Sequence, residues 1–152
     1  MELNRSTKEK GDLAEQAAIL AAMKKGWGVS TTIGDRLPYD IIFDVEGKLA
    51  KIQIKSSWFD KSSGNYKIDS RRTKTNRRVM KRSLYKSGDF DFALIYIEDH
   101  DLFYVLPFNA FAEYKSDIYL IVTDDRQRKA RSCEFKDAWD LISAWASMEE
   151  IS

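Results

Sequence analysis

From Pro38 to Lys55 the chain reads P-Y-D-I-I-F-D-V-E-G-K-L-A-K-I-Q-I-K, two strand-like apolar stretches on either side of Glu46-Gly47. That pair predicts a hairpin closed by a two-residue loop. With Val45 and Lys48 flanking the loop, the numbers of paired residues add to 93. Tyr39 then faces Ile54, Ile41 faces Ile52 and Phe43 faces Ala50, all apolar. The other face carries Asp40 opposite Gln53, with Lys55 two residues further on. A slip of one residue would mix the two faces, so the segregation selects this register.

The same patterning predicts the surrounding elements. Ser6-Thr7-Lys8-Glu9 has the form of a capping box, and Lys24-Lys25-Gly26 that of a helix end. Between them Leu13, Ala17, Leu20 and Met23 form an apolar stripe, beside a small-residue stripe of Gly11, Ala14, Ala18 and Ala22 suited to close packing on a sheet. Trp27–Ile33 reads as a first strand. Ser56–Ser70 reads as an excursion with a hairpin around Ser63-Gly64-Asn65. A helix is predicted over Thr75–Lys86, stopped by Gly88. Phe90–Ile97 is the most apolar strand, with Leu102–Leu106 as its partner. A short helix is expected near Pro107–Phe111 and a strand over Ile118–Thr123. Phe135, Ala138, Trp139, Ile142, Trp145 and Met148 have the spacing of a final amphipathic helix. The expectation is one mixed α/β (α+β) domain over residues 1–152, with a central mixed sheet flanked by helices.

Composition narrows the setting. With 152 residues, 43% hydrophobic and 32% charged, the chain is long and apolar enough for a real core. There is no apolar run of membrane-spanning length and no signal-peptide core, and Cys133 is the single cysteine. These point to a cytoplasmic, reduced setting with no membrane partner. One histidine, His100, and one cysteine exclude His-based catalysis and zinc fingers, and no glycine-rich phosphate loop appears.

Net charge is only +1, but Arg71–Arg82 holds seven cations and no acid, which leaves −6 on the rest. Basic blocks on an otherwise acidic chain suit a DNA-binding surface. A charge run is ordinarily a solvated face. Here it follows the excursion directly, which favours contact with DNA. Arg71, Arg72, Lys74, Arg77 and Arg78 are candidates for backbone phosphates, joined by Lys81 and Arg82. Lys61, Asn65, Tyr66 and Lys67 on the excursion are candidates for the major groove, which admits a two-stranded ribbon. Arg126–Arg131 is a second, weaker cluster.

Taken singly, Asp40 would be a cap and Lys55 a solvated lysine. Together they say more. Cross-strand neighbours have Cβ atoms about 5 Å apart, so Asp40 and Gln53 present two oxygen donors of the kind hard cations prefer. Lys55 shares their face. Glu15 sits in the alanine-rich part of a helix that must pack on this sheet. Such a set would hold a metal and add positive charge where a phosphodiester accumulates negative charge.

P-Y-D, twelve residues and then Q-I-K resembles the PD-(D/E)XK nuclease signature, with Tyr39 intervening and Gln53 in place of the usual carboxylate. The order α-β-β-β-α-β from Thr7 to Ile97 resembles the restriction-endonuclease-like core. Gly11–Glu15 resembles the helix that adds an acidic residue. The Q-x-K form, chain size and aromatic-rich second half are similar to the group I intron-associated homing endonucleases. The resemblance implies hydrolysis of double-stranded DNA with Mg²⁺ or another hard divalent cation such as Mn²⁺. Asp40 would be the central ligand, Gln53 would bind through its amide oxygen, Glu15 would complete the set and Lys55 would position or polarise the attacking water. Two strands need two sites, so a homodimer or tetramer is expected, with Phe108, Phe111 and Tyr114 as interface candidates if they are not core. A Holliday-junction-type nuclease and a noncatalytic DNA-binding protein on the same fold are the alternatives.

Overall fold

In a computed structural model the structure describes residues 5–75, 80–122 and 131–148. Three antiparallel strands, β1 (Gly28–Thr31), β2 (Ile41–Val45) and β3 (Lys48–Ser56), open the main sheet. β4 (Trp58–Asp60) and β5 (Asn65–Asp69) form the excursion hairpin, and β6 (Arg72–Thr75) pairs with β7 (Met80–Ser83). β8 (Phe92–Ile97) returns to the main sheet parallel to β3, and β9 (Leu102–Pro107) closes it in the order β1-β2-β3-β8-β9. β10 (Asp117–Leu120) joins the excursion to give a second sheet, β10-β5-β4. Among the described residues there are three α-helices: α1 (Thr7–Lys24), α2 (Phe108–Ala112) and α3 (Asp140–Ser147).

The hairpin register is the one the pattern selects: Ile41 pairs with Ile52, Phe43 with Ala50 and Val45 with Lys48. Glu46 and Gly47 both adopt positive φ, 54° and 92°, as a tight primed turn requires. The ladder ends at the Ile41–Ile52 pair, so neither the expected Asp40–Gln53 pair nor the Tyr39–Ile54 pair forms. Ile54 packs with Ile41 and Phe43 in the core beneath α1 and α3, whereas Tyr39 packs in the core on the opposite side. The chain turns at Asp40, so the strict alternation expected through Tyr39 ends there.

Two cores sandwich the main sheet. On one face Ala14, Ala18 and Ala22 of α1 meet Ile41, Phe43, Ile52, Leu94 and Ile142. On the other, Ala93, Ile95, Ile97 and Leu106 meet Ile68, Ile118 and Leu120 of the second sheet. Only the alanine stripe of α1 is fully covered. Leu20 and Met23 are 53% and 63% exposed, because the small stripe lets the helix backbone approach the sheet and turns the larger side chains outward. The helix ends behave as their sequences predict. Ser6 Oγ accepts the N–H of Glu9 at 3.2 Å, and Gly26 takes positive φ beyond the last turn.

Two expected elements differ. Met80–Ser83 is a strand rather than part of a helix over Thr75–Lys86, with Thr75 opposite Met80 and Arg72 opposite Ser83. The pairing with Arg72–Thr75, a partner outside the local pattern, overrides the helical reading of this segment. The final helix starts at Asp140 rather than near Phe135. Asp137 is at φ 53° and its N–H donates to Phe103 O at 2.8 Å, which ties the preceding segment to β9. No helix among the described residues is long and apolar enough to cross a membrane.

Phe111 belongs to the second core, and Phe108 and Tyr114 are partly buried against it. Phe111 is 2% exposed, and Phe90 meets Phe108 and Phe111 edge-to-face at 5.0 and 5.3 Å. Of the second basic cluster only Arg131 lies within the described residues. It pairs with Glu113 and stacks on Tyr114 at 4.4 Å from the ring centroid.

Candidate active site

Asp40 stands just before β2, where the hairpin opens. Its N–H donates to Ile52 O at 2.8 Å, one residue out of the register that pairs Ile41 with Ile52. Its side chain then takes over the ladder: Asp40 Oδ2 accepts the N–H of Ile54 at 2.8 Å. One carboxylate oxygen is thus anchored to the neighbouring strand, and the geometry of the other is fixed with it. Burial holds the Asp40 pKa above the ordinary carboxylate value and Asp35 adds repulsion, against the opposing pull of the Ile54 hydrogen bond and Lys55.

Gln53 and Lys55 project from β3 into a cleft of about 510 Å³. Trp58, Lys67, Asp69, Arg71 and Asp117 line its far wall, and Thr7 and Gly11 of α1 line its near side. Gln53 is 8% exposed, and its amide nitrogen donates to Ile54 O at 3.3 Å. Lys55 Nζ donates to Arg71 O at 3.1 Å. Burial holds Lys55 below the ordinary lysine value, while Asp40 and Asp69 pull the other way.

Glu15 lies one turn beyond Gly11 on the same side of α1 and is half-buried. Its pKa is raised, first by burial and then by repulsion from Asp40, Asp12 and Asp35. Glu15 is therefore near enough to Asp40 to feel its charge. Among the described residues no three carboxylates, histidines or cysteines are placed to hold one metal ion. An oxygen donor set here draws on the Gln53 amide as well as on carboxylates, a mixture that suits a hard cation retaining several waters. Two carboxyl groups held above the ordinary carboxylate value, chiefly by burial, are also what a cation would relieve. The residues present fit such an ion.

The predicted DNA-contacting residues divide by position. Lys61 is exposed at the tip of the β4–β5 hairpin, and Asn65 begins β5. Tyr66 is turned toward the fold: its hydroxyl donates to Asp99 at 2.7 Å and its ring packs on the second core. Lys67 and Arg71 line the cleft, but both have acidic partners. Lys67 Nζ lies 3.2 Å from Asp117, and Arg71 makes a two-pronged contact with Asp69 at 3.0 and 2.9 Å. Arg72 donates to Arg36 O at 3.3 Å. Lys74 is paired with Lys81, and Thr73 with Arg82, in the backbone register of the β6–β7 ribbon. Arg77 and Arg78 lie outside the described residues.

Asp69, Asp117 and Tyr85 were not among the predicted site residues. Lys67, Asp69 and Arg71 alternate in sign at spacing two, a signal of one charged strand face that was available in the sequence. Tyr85 carries no local signal, because only folding brings its ring under Lys55, 5.2 Å from centroid to Nζ.

The residues expected of a nuclease site are thus a carboxylate at the mouth of a hairpin, an amide and a lysine on its second strand and an acid from the first helix. The chain belongs to the PD-(D/E)XK endonuclease family, whose sequence model matches residues 5–142. As a member of that family it is an endonuclease. It is similar to a bacterial homing endonuclease, I-Ssp6803I, whose solved structure superposes with a TM-score of 0.89 at 53% identity, covering 97% of this chain and 100% of that one. No curated protein matches the sequence.

Proposed function

We propose that this endonuclease cuts double-stranded DNA at a specific site and serves intron homing, with a divalent cation, Mg²⁺ or Mn²⁺, as cofactor. The observation that carries the reading is the convergence of Asp40, Gln53 and Lys55 at the open end of one hairpin, beside a basic ribbon. The similarity to a bacterial homing endonuclease supports the homing context.

Asp40 and Gln53 would hold the cation through one carboxylate and one amide oxygen, with Glu15 contributing from α1. Bound there, the cation supplies Lewis-acid polarisation of the phosphodiester and activates water. The anchor from Ile54 N–H keeps the Asp40 carboxylate aimed while DNA enters. Lys55 places a positive charge beside the cation, where charge develops on the phosphate, and its low-dielectric setting strengthens that interaction. Lys67, Arg71 and Arg72 face the backbone of the DNA, Lys67 and Arg71 exchanging acidic partners for phosphates. Lys61 and Asn65 at the hairpin and Lys74, Lys81 and Arg82 from the ribbon strands extend that surface, joined by Arg77 and Arg78 of the same basic run. Residues 1–152 act as one nuclease domain.

Cutting both strands takes two copies, as a dimer or tetramer. Phe111 is buried in the core, which leaves the partly exposed Phe108 and Tyr114 as candidates for the contact between copies.

The test is incubation of the full chain with a supercoiled plasmid library carrying random inserts, with and without Mg²⁺, and sequencing of the cut ends. Recovery of one insert sequence, linearised only with the metal, is the expected result. Binding without cutting under any divalent metal would sink the enzymatic reading for this chain.

A further inference from the structure

Lys55 is gripped from both roots of the basic ribbon. Its ammonium donates to the carbonyl of Arg71, the residue just before β6. It also lies over the ring of Tyr85, two residues beyond the end of β7. Tyr85 is itself held from behind. Its ring meets Phe90 at 5.1 Å and Phe111 at 6.0 Å, both edge-to-face, and those two residues are each 2% exposed. The second core thus presents one rigid aromatic face to one flexible side chain.

An aromatic face attracts an ammonium through its quadrupole, more strongly where water is partly excluded. A lysine fixed before substrate arrives does not have to be ordered during the reaction. We propose that Tyr85 is a positioning residue, seating the Lys55 ammonium between its ring and the Arg71 carbonyl so that it meets the scissile phosphate already aimed. The proposal rests on Lys55 being catalytic. It also links the ribbon to the chemistry, because DNA contacts made by Arg71 and Arg72 act on the backbone that holds Lys55.

The experiment uses the full chain, Mg²⁺ and the insert recovered from the plasmid library. Wild type, Tyr85→Phe, Tyr85→Leu and Lys55→Ala are compared for single-turnover cleavage at saturating duplex and for duplex affinity in Ca²⁺. ¹³C-lysine spectra of the free proteins report the Lys55 εCH₂, assigned by its absence in Lys55→Ala. Tyr85→Leu is expected to slow cleavage about tenfold or more with affinity unchanged, and Tyr85→Phe to stay within about twofold of wild type, because only the ring face is needed. The Lys55 εCH₂ is expected at ring-current-shifted positions in wild type and Tyr85→Phe, and at ordinary lysine positions in Tyr85→Leu. An unshifted Lys55 signal in wild type overturns the proposal without any variant. Equal loss of rate in Tyr85→Phe and Tyr85→Leu overturns the ring-face argument. A full rate in Tyr85→Leu beside an inactive Lys55→Ala overturns positioning and leaves the role of Lys55 intact. A full rate in Lys55→Ala overturns both.

Discussion

Asp40 accepts the backbone N–H of Ile54 through Oδ2 at 2.8 Å, so a side chain completes the ladder at the point where strand pairing stops. The bond fixes the carboxylate, but it leaves a charge in a largely buried place beside other acids. The Asp40 pKa is accordingly raised above 3.8, chiefly by burial. A carboxyl whose pKa is higher folded than unfolded contributes stability below its unfolded value and loses it as pH rises through the folded one. The metal-free protein is therefore expected to lose stability over the pH range just above 3.8. Asp40→Asn keeps an oxygen for Ile54 and removes the charge. Its Tm at neutral pH should exceed that of wild type, its stability should lack this pH component, and cleavage should fall by at least about 10³-fold. Mg²⁺ should raise the wild-type Tm and leave that of the variant unchanged. Thermal melts with and without Mg²⁺ check each point.

Gly11 sits inside α1 and lines the cleft, and a Cβ built there meets nothing within 4 Å. Packing in the free protein does not require the glycine. Gly11→Ala should stabilise the chain by about 0.5–1 kcal/mol through helix propensity alone. Cleavage should weaken if DNA occupies the space the glycine leaves. Urea melts and cleavage rates on the same preparation separate the two effects, and a cleavage rate equal to wild type would place the DNA away from Gly11.

Lys67 is paired with Asp117 at 3.2 Å across the β5–β10 register. Asp117→Asn releases that lysine for phosphate without altering its strand. DNA affinity should rise at low salt, and the slope of log K against log salt should steepen by about 0.9, the value for one added phosphate contact. Affinity titrations between low and moderate salt measure both. An unchanged slope would remove Lys67 from the backbone contacts.

Phe111 is 2% exposed and holds Phe90 at 5.3 Å and Tyr85 at 6.0 Å. Phe111→Ala should cost about 3–5 kcal/mol, the range for emptying an aromatic site in a core. The molar mass of the assembly at a concentration where the variant is folded should be unchanged. Denaturant melts and light scattering decide between a core and an interface residue.

What was legible in the sequence is local. The Glu46-Gly47 turn and the two-sided pattern fixed the register, because a slip would have moved Ile41 and Ile52 off the apolar face. The register in turn set Gln53 and Lys55 on one side of β3, and Ser6 and Gly26 marked the ends of α1. The failures also have local causes. Thr75–Lys86 has residues that a helix accepts, but the ribbon is chosen by cross-strand partners that no single segment displays. Tyr39 parts from Ile41 because Asp40 puts its side chain, rather than the next residue, into the ladder.

Only the tertiary structure decided what surrounds Lys55. Asp69 comes from β5, the carbonyl of Arg71 from the root of the ribbon and the ring of Tyr85 from a loop seated on Phe90 and Phe111. The sequence by itself determined the hairpin and the residues it carries, since turn geometry and side-chain alternation act over neighbouring positions. The environment that sets the charge, aim and partners of those residues is made by segments distant in the chain, and burial and Coulomb interactions depend on distance in space.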